Sequence, residues 1–207
     1  MLVDCNSVTL KLIHDSIKAG EAISFPTDTV YALACDASNS KAIKKLFAIK
    51  KRPIEKTAPI LIKNFATLKH FADTAGIVDR LAQSFWPGKL TIVLPTGLNI
   101  PLSEHCIRRD GSNSTVGFRV PNHLIALEIL DFCNLPLLAT SVNIAGENSL
   151  NCAKDITHQF GHQIAYIVKD TALSDGIAST IVEINGGEVK ILREGAIPKD
   201  AIDKIIV

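Results

Sequence analysis

Residues 179–194 read STIVEINGGEVKILRE. Two runs rich in β-branched residues, STIVEI and EVKILRE, flank Asn185-Gly186-Gly187. Asn and Gly reach positive φ at little steric cost, so between two such runs they signal a tight antiparallel hairpin. Upstream of this hairpin, short apolar strand patterns alternate with helical ones. Alternation of that kind predicts a sheet covered by helices, and the terminal hairpin makes part of it antiparallel. The expectation is one α/β domain with a mixed, twisted sheet.

The alternating elements can be placed. Leu10, Ile13 and Ile17 recur at helical spacing, which predicts a helix over 7–19, capped by Asn6 or Ser7 and stopped by Gly20. AISF (22–25) is a short buried strand ended by Pro26. A second helix over 40–50 carries Ile43, Leu46 and Phe47 on one face. Further strands are predicted at 59–62, 90–95, 115–121, 136–141 and 165–170, and further helices at 64–73, 77–85, 123–133, 155–160 and 199–205. The longest irregular stretch, 97–114, reads either as a lid or binding loop or as a plain surface excursion.

Composition narrows the function classes. The chain has 207 residues, 47% of them hydrophobic, which is enough to bury a real core in one domain. Its formal net charge of +1 implies no global attraction to nucleic acid or anionic membrane, although a local basic face remains open. The five cysteines are odd in number and lack C-x-x-C spacing, so reduced core thiols are expected rather than a disulfide framework or a structural zinc. With no basic region leading into an apolar one at the start, and no apolar run of about 20 residues, the expected setting is cytoplasmic, without a membrane.

Four segments hold candidate chemistry. FPTDTVYALACDA (25–37) places Thr27, Asp28, Thr29 and Tyr31 after a buried strand, where a ligand crevice of an α/β fold lies; the same residues also make an ordinary turn. AIKKRPIEKTAP (48–59) sets Lys50, Lys51, Arg52 and Lys56 between a helix and a strand. Those cations either meet the helix C-terminal dipole or, if the segment is extended, Lys50 and Arg52 share a crevice as an anion grip. ATSVNIAGENS (139–149) runs from an apolar strand into Thr140, Ser141 and Asn143. Ala139 and Asn143 stand where a Gly-x-Ser-x-Gly elbow needs glycines, so polar recognition is favoured over a serine nucleophile. Arg119 and Arg193 lie amid apolar strand residues; burying either requires a ligand anion or an internal carboxylate. No Walker loop or Gly-x-Gly-x-x-Gly fingerprint is present. His158 and His162, four apart, lack an evident third metal ligand.

Taken in order, FPTDTVYAL, IKKRP, FWPGKLTIVLP, STVGFRVPNH, LLATSVNIAGENS, ASTIV and ILREGAIP resemble the YrdC-like (TsaC) family of threonylcarbamoyl-AMP synthases, over roughly residues 8–198. The family's Lys-x-Arg and Ser-x-Asn signature is matched by Lys50-Lys51-Arg52 and Ser141-Val142-Asn143. The resemblance implies a YrdC/RibB-like twisted mixed β-sheet flanked by helices around a large basic concave cavity. It implies a nucleotidyltransferase that condenses L-threonine, bicarbonate or carbon dioxide, and ATP into threonylcarbamoyl-AMP and pyrophosphate. Mg²⁺ would accompany ATP, and partner proteins would pass the group to tRNA for the t6A modification.

By position, the catalytic set implied is Lys50, Arg52, Ser141 and Asn143. Threonine would meet Thr29, Lys63, Arg119 and Ala139. ATP would meet Arg52, Lys56, Thr115, Ser141, Ser149 and Arg193. Ala32, Lys89 and Val142 depart from the family's usual residues, and the spacing from Arg52 to the next strand is longer than in many relatives, which blurs Lys56 and Lys63. Because the chain ends soon after LREGAIP, the short single-domain form over 1–207 is implied, without the extra domain of Sua-type long forms. Two other readings stay open: a double-stranded RNA or tRNA-binding module, and a YciO-type paralogue with another substrate.

Overall fold

The computed structural model describes residues 1–97, 100–111, 113–170 and 176–206. Its elements in chain order are β1 (Leu2–Val3), α1 (Ser7–Lys18), β2 (Ile23–Phe25), β3 (Ala32–Asp36), α2 (Ser40–Ile49), β4 (Ile60–Leu61), α3 (Phe65–Leu68), α4 (Ile77–Phe85), β5 (Leu90–Pro95), β6 (Arg108–Asp110), β7 (Asn113–Arg119), α5 (Leu124–Cys133), β8 (Leu137–Ser141), α6 (Ala153–Phe160), β9 (Tyr166–Val168), β10 (Thr180–Asn185), β11 (Glu188–Arg193) and α7 (Lys199–Ile206). The strands form one mixed sheet in the order β1-β9-β2-β3-β8-β4-β7-β5-β10-β11, with β6 added beside β7. The expected hairpin is present: β10 and β11 pair antiparallel around Gly186 and Gly187, both at positive φ.

Helix starts follow their caps. Asn6 accepts from the N–H groups of Val8 and Thr9, while Thr9 accepts from the Asn6 N–H, a capping box that starts α1. Asn39 caps α2 and Asn64 caps α3 in the simpler way.

Side chains alternate across the sheet and sort into two cores. On β3, Leu33 and Cys35 join the larger core with Ile43, Leu46 and Phe47 of α2, Val78 and Leu81 of α4 and Ile156 of α6. Ala32 and Ala34 face the other way, toward Ile13 and Ile17 of α1 and Ile129 and Leu130 of α5. The sheet is therefore covered on both faces, but α1 and α5 cover only part of theirs. Where β4, β7, β5 and β10 carry Leu61, Arg119, Thr91 and Ile181, that face opens as a cleft.

Several expectations need correction. β3 does not read as a strand, because Ala, Cys and Asp have weak strand preference; its five-residue pairing with β8 holds it. The two-residue β1 and the exposed β6 carry too little pattern to be read. The helix expected over 64–73 stops at Leu68 and continues only as turns, with Asp73 accepting from the Ala75 N–H. Of the long loop 97–114, residues 98, 99 and 112 lie outside the described residues; the rest includes a 3-10 turn at Glu104–Cys106 and β6. Among the described residues no helix is long and apolar enough to cross a membrane.

Candidate functional site

The cleft has a volume of about 370 Å³ and brings Thr29, Arg52, Arg119, Ser141, Ser149 and Arg193 to one surface. Ala32, Ala139 and Leu61 also line it, and small side chains there leave the space that larger ones would fill. A larger cavity of about 680 Å³ opens alongside, between Lys56 and Arg108-Arg109, and shares Thr57 with the cleft. We place the site in the smaller cleft, because three arginines converge there, Arg119 buried, Arg52 half-buried and Arg193 at the exposed rim.

Arg119 stands at the end of β7, buried to within 7% of full cover. Its Nε donates to the Gly88 carbonyl at 3.0 Å, Nη1 to Thr29 Oγ1 at 2.9 Å and Nη2 to Asp28 Oδ1 at 2.5 Å. Of the two partners left open by sequence, the internal carboxylate is thus realised. Burial lowers the proton affinity of Arg119, with Asp28 opposing and Arg193 reinforcing the shift. Thr27 Oγ1 lies 3.0 Å from Thr29 Oγ1, donates to the Val30 carbonyl at 2.6 Å and accepts from the Thr29 and Val30 N–H groups. That closed local turn fixes the Thr29 hydroxyl against the guanidinium.

Arg52 follows α2. Its Nη2 donates to the Thr57 carbonyl at 2.9 Å, and Nη1 reaches Thr140 Oγ1 at 3.4 Å. Its Nε is buried and meets no acceptor among the described residues. The guanidinium carbon sits 5.6 Å from the Phe47 ring centre, a cation–π contact that steadies it. Arg193 Nη2 donates to the Ser179 carbonyl at 2.6 Å, and the Ser179 and Thr91 hydroxyls are 2.9 Å apart. Burial lowers the proton affinity of Arg52 and Arg193 too. All three guanidiniums stay charged, since arginine does not deprotonate in proteins. Such a cluster favours an anion that offsets its desolvation.

Lys50 is 2% exposed, and its ammonium turns to the β8 end. It donates to the Ser141 carbonyl at 2.5 Å and to the Asn143 carbonyl and Oδ1 at 3.0 and 2.9 Å. Ser141 Oγ donates to Asn143 Oδ1 at 2.6 Å, and Asn143 Nδ2 donates to the Ile144 and Glu147 carbonyls. The segment is not extended as the shared-crevice reading requires: Lys50 remains helical and Lys51 adopts φ 50. Alternate positions therefore diverge. Arg52 lines the cleft, Lys51 is exposed, and Lys50 braces the turn that follows β8.

Comparison with known proteins places the chain in a family. The profile of the Sua5, YciO and YrdC proteins, described as "Telomere recombination", matches residues 15–195. The chain belongs to the Sua5/YciO/YrdC family. It is 33% identical over 198 residues to "Threonylcarbamoyl-AMP synthase" of Pyrococcus abyssi, covering 95% of this chain and 57% of that protein. A protein of the same name from Pseudoalteromonas translucida is 34% identical, with 82% of this chain and 90% of that one covered. This chain thus spans little more than half of the Pyrococcus relative and most of the Pseudoalteromonas one. Among solved structures, "Crystal structure of P. abyssi Sua5 complexed with L-threonine" matches all of this chain and 59% of that one, with TM-score 0.87 and 30% identity. E. coli YciO shares the fold at TM-score 0.82 and 19% identity, over 98% of this chain and 97% of that one.

Within this Sua5/YciO/YrdC chain, most of the residues expected from sequence gather at the cleft, and three lie outside it. Thr29, Arg52, Arg119, Ala139, Ser141, Ser149 and Arg193 line the cleft. Lys50 and Asn143 brace it from behind. Thr115 lies on β7 four residues before Arg119, on the same face but roughly 13 Å further along the strand. Lys56 lines the neighbouring larger cavity. Lys63 pairs with Asp131 at 3.2 Å and lines a separate groove beside Leu130. Sequence reasoning named Thr140 but missed Thr91 and Ser179 as wall residues. The latter two meet only because β5 and β10 pair in parallel.

Proposed function

We propose that this chain is an L-threonylcarbamoyladenylate synthase, a nucleotidyltransferase that makes threonylcarbamoyl-AMP and pyrophosphate from L-threonine, bicarbonate or carbon dioxide, and ATP. The observation that carries this reading is the convergence of Arg52, Arg119 and Arg193 on one small-residue cleft. The relatives' names support it, as does the L-threonine complex of the similar Pyrococcus structure.

The chemistry calls for such a site. The neutral threonine amine adds to carbon dioxide and gives up one N–H proton to solvent, forming an N-carboxylate; an oxygen of that carboxylate attacks the α-phosphorus of ATP as pyrophosphate leaves. Both reactants are anions, so repulsion and alignment are the main barriers, and fixed cations lower both. Arg119, held by Thr29 and Asp28, receives the amino-acid carboxylate beside Ala139. Arg52, with its unpartnered Nε, faces the N-carboxylate and the phosphates. Arg193, Ser141, Ser149 and Thr115 serve the nucleotide side, and Lys50 and Asn143 hold Ser141 in place. Lys56 and Lys63 are outer contacts at most.

Mg²⁺ would enter with ATP and supply charge neutralisation at the phosphates. Among the described residues no group of three His, Cys, Asp or Glu side chains could hold a metal, and Asp28 already pairs with Arg119. No protein ligand is therefore assigned to it. In this reading the product passes through partner proteins to tRNA for t6A. Direct RNA contact, the other class of function, would use Lys56, Arg108 and Arg109 beside the cleft.

The deciding test is product analysis. Protein incubated with ATP, L-threonine and bicarbonate should yield threonylcarbamoyl-AMP by mass, with pyrophosphate dependent on both small substrates. ATP turnover that ignores threonine would leave a YciO-type paralogue with another substrate. Steeply salt-dependent RNA binding without turnover would favour the binding module.

A further inference from the structure

Two largely buried ion pairs join the same two parts of the chain. One is Arg119–Asp28, and the other is His123–Asp170, with Nε2 and Oδ2 2.9 Å apart. In both, each side chain is at most 16% exposed, whereas in the other ion pairs between described residues both side chains are at least 30% exposed. Exposed pairs contribute little, but a buried one is strongly destabilising to break. Arg119 ends β7 and bonds Thr29 and Asp28; His123 follows four residues later. β9 ends two residues before Asp170 and runs parallel to β2, which ends two residues before Thr27, with Ile167 opposite Ser24. Asp170 therefore emerges level with Thr27. It also lies near Tyr31, two residues after Thr29: burial first, and then the Asp170 charge, push the Tyr31 phenol up to about 12. His123 begins α5 but its side chain makes no cap bond, and its buried Nδ1 meets no partner among the described residues. The contact with Asp170 is thus what orients the ring.

We propose that His123 and Asp170 are positioning residues for the amino-acid half of the reaction: their pair holds the end of β7 against segment 27–31, so that Arg119 and Thr29 keep one fixed arrangement toward the substrate. This rests on the amino-acid reading above. Neither His123 nor Asp170 lines the cleft, so both act through Arg119 and Thr29, which do. The leverage is geometric, since a displacement of about 1 Å in a substrate-holding group can cost on the order of 100-fold. The nucleotide side is carried elsewhere, by Arg193 of β11 and Ser149 of the loop after β8. Loosening the His123–Asp170 pair therefore falls on the amino acid and spares ATP.

Steady-state kinetics separate this role from a merely structural one. His123→Ala should raise the KM for L-threonine by about tenfold or more, while the KM for ATP at saturating L-threonine changes by less than about threefold. His123→Gln offers an N–H close to the place of Nε2 and should recover most of the loss. Asp170→Ser is too short to reach the imidazole; it should repeat the His123→Ala pattern, and it decides the matter should His123→Ala not fold. KM values for L-threonine and ATP that rise together would make the pair a general prop, and an unchanged KM for L-threonine would leave it no role. Either result overturns the proposal, as does a folded His123→Gln that loses as much as His123→Ala. Wild-type protein without threonine-dependent turnover would instead overturn the amino-acid reading, and this inference with it.

Discussion

The Lys50 ammonium donates to both oxygens of Asn143, at 3.0 and 2.9 Å, and so ties the end of α2 to the turn after β8. It is a strut between two segments of the signature, directed away from the cleft. Lys50→Met would leave the Ser141 carbonyl and both Asn143 oxygens short of a donor. We expect a loss of about 3 kcal/mol in urea unfolding, typical of breaking a buried polar network. Burial and then Arg52 pull the Lys50 ammonium down to about 8. An unfolded lysine titrates near ~10.4, so between these values the unfolded chain holds more protons. The sign follows: this group's contribution to stability rises with pH from about 8 to about 10. The gap between wild type and Lys50→Met should widen over that window, and a gap that narrows would contradict the assignment.

Arg52 is the cation with a spare buried N–H at the cleft. Arg52→Ala should raise the barrier for threonine- and bicarbonate-dependent pyrophosphate release by about 2–4 kcal/mol, as loss of one fixed electrostatic contact does. Arg52→Lys keeps the charge but loses the fork and the planar contact on Phe47, so it should recover only part of the rate. Steady-state kinetics of both variants check this; an unchanged kcat/KM for Arg52→Ala would remove Arg52 from the site.

Much of the fold was legible because its evidence is local. The Asn-Gly-Gly hairpin, the Asn6 cap and the apolar faces of α2 and α4 each occupy a few adjacent residues. β3 was not legible, since Ala32–Asp36 becomes a strand only through its partners β2 and β8. The site divides the same way. Arg119 and Arg193 stood out as cations amid apolar strand residues. What surrounds them was not readable: Asp28 lies 91 positions from Arg119, and Ser179, the partner of Arg193, meets Thr91 across 88. The Lys50 spacing misled because Lys51 turns at φ 50, which rotates Arg52 away from its neighbour.

Gly195 gives a steric prediction about the Arg193 wall. A Cβ there would lie 2.3 Å from the Ala178 carbonyl oxygen and 2.7 Å from the Ser179 carbonyl. These are backbone atoms, fixed further by Thr180 Oγ1, which accepts from the Gly195 and Ile197 N–H groups. Gly195→Ala should therefore displace the Ser179 carbonyl that Arg193 holds. We expect about 1–3 kcal/mol of destabilisation in thermal unfolding, with a raised KM for ATP. A KM for ATP that stays at the wild-type value in a destabilised variant would separate Arg193 from the nucleotide.

Lys56 tests where the site ends. It is exposed and lines the larger cavity with Glu55, Glu104, Arg108 and Arg109, sharing only Thr57 with the cleft. A lysine so placed acts on bound phosphates through solvent, where charges separated by more than about 8 Å are screened at physiological salt. Lys56→Ala should raise the KM for ATP by no more than about threefold at that salt, since exposed pairs contribute at most about 1 kcal/mol. The effect should fade as salt is added. A loss beyond about tenfold that persists at high salt would mean direct phosphate contact, and would extend the nucleotide site across Thr57 into the larger cavity.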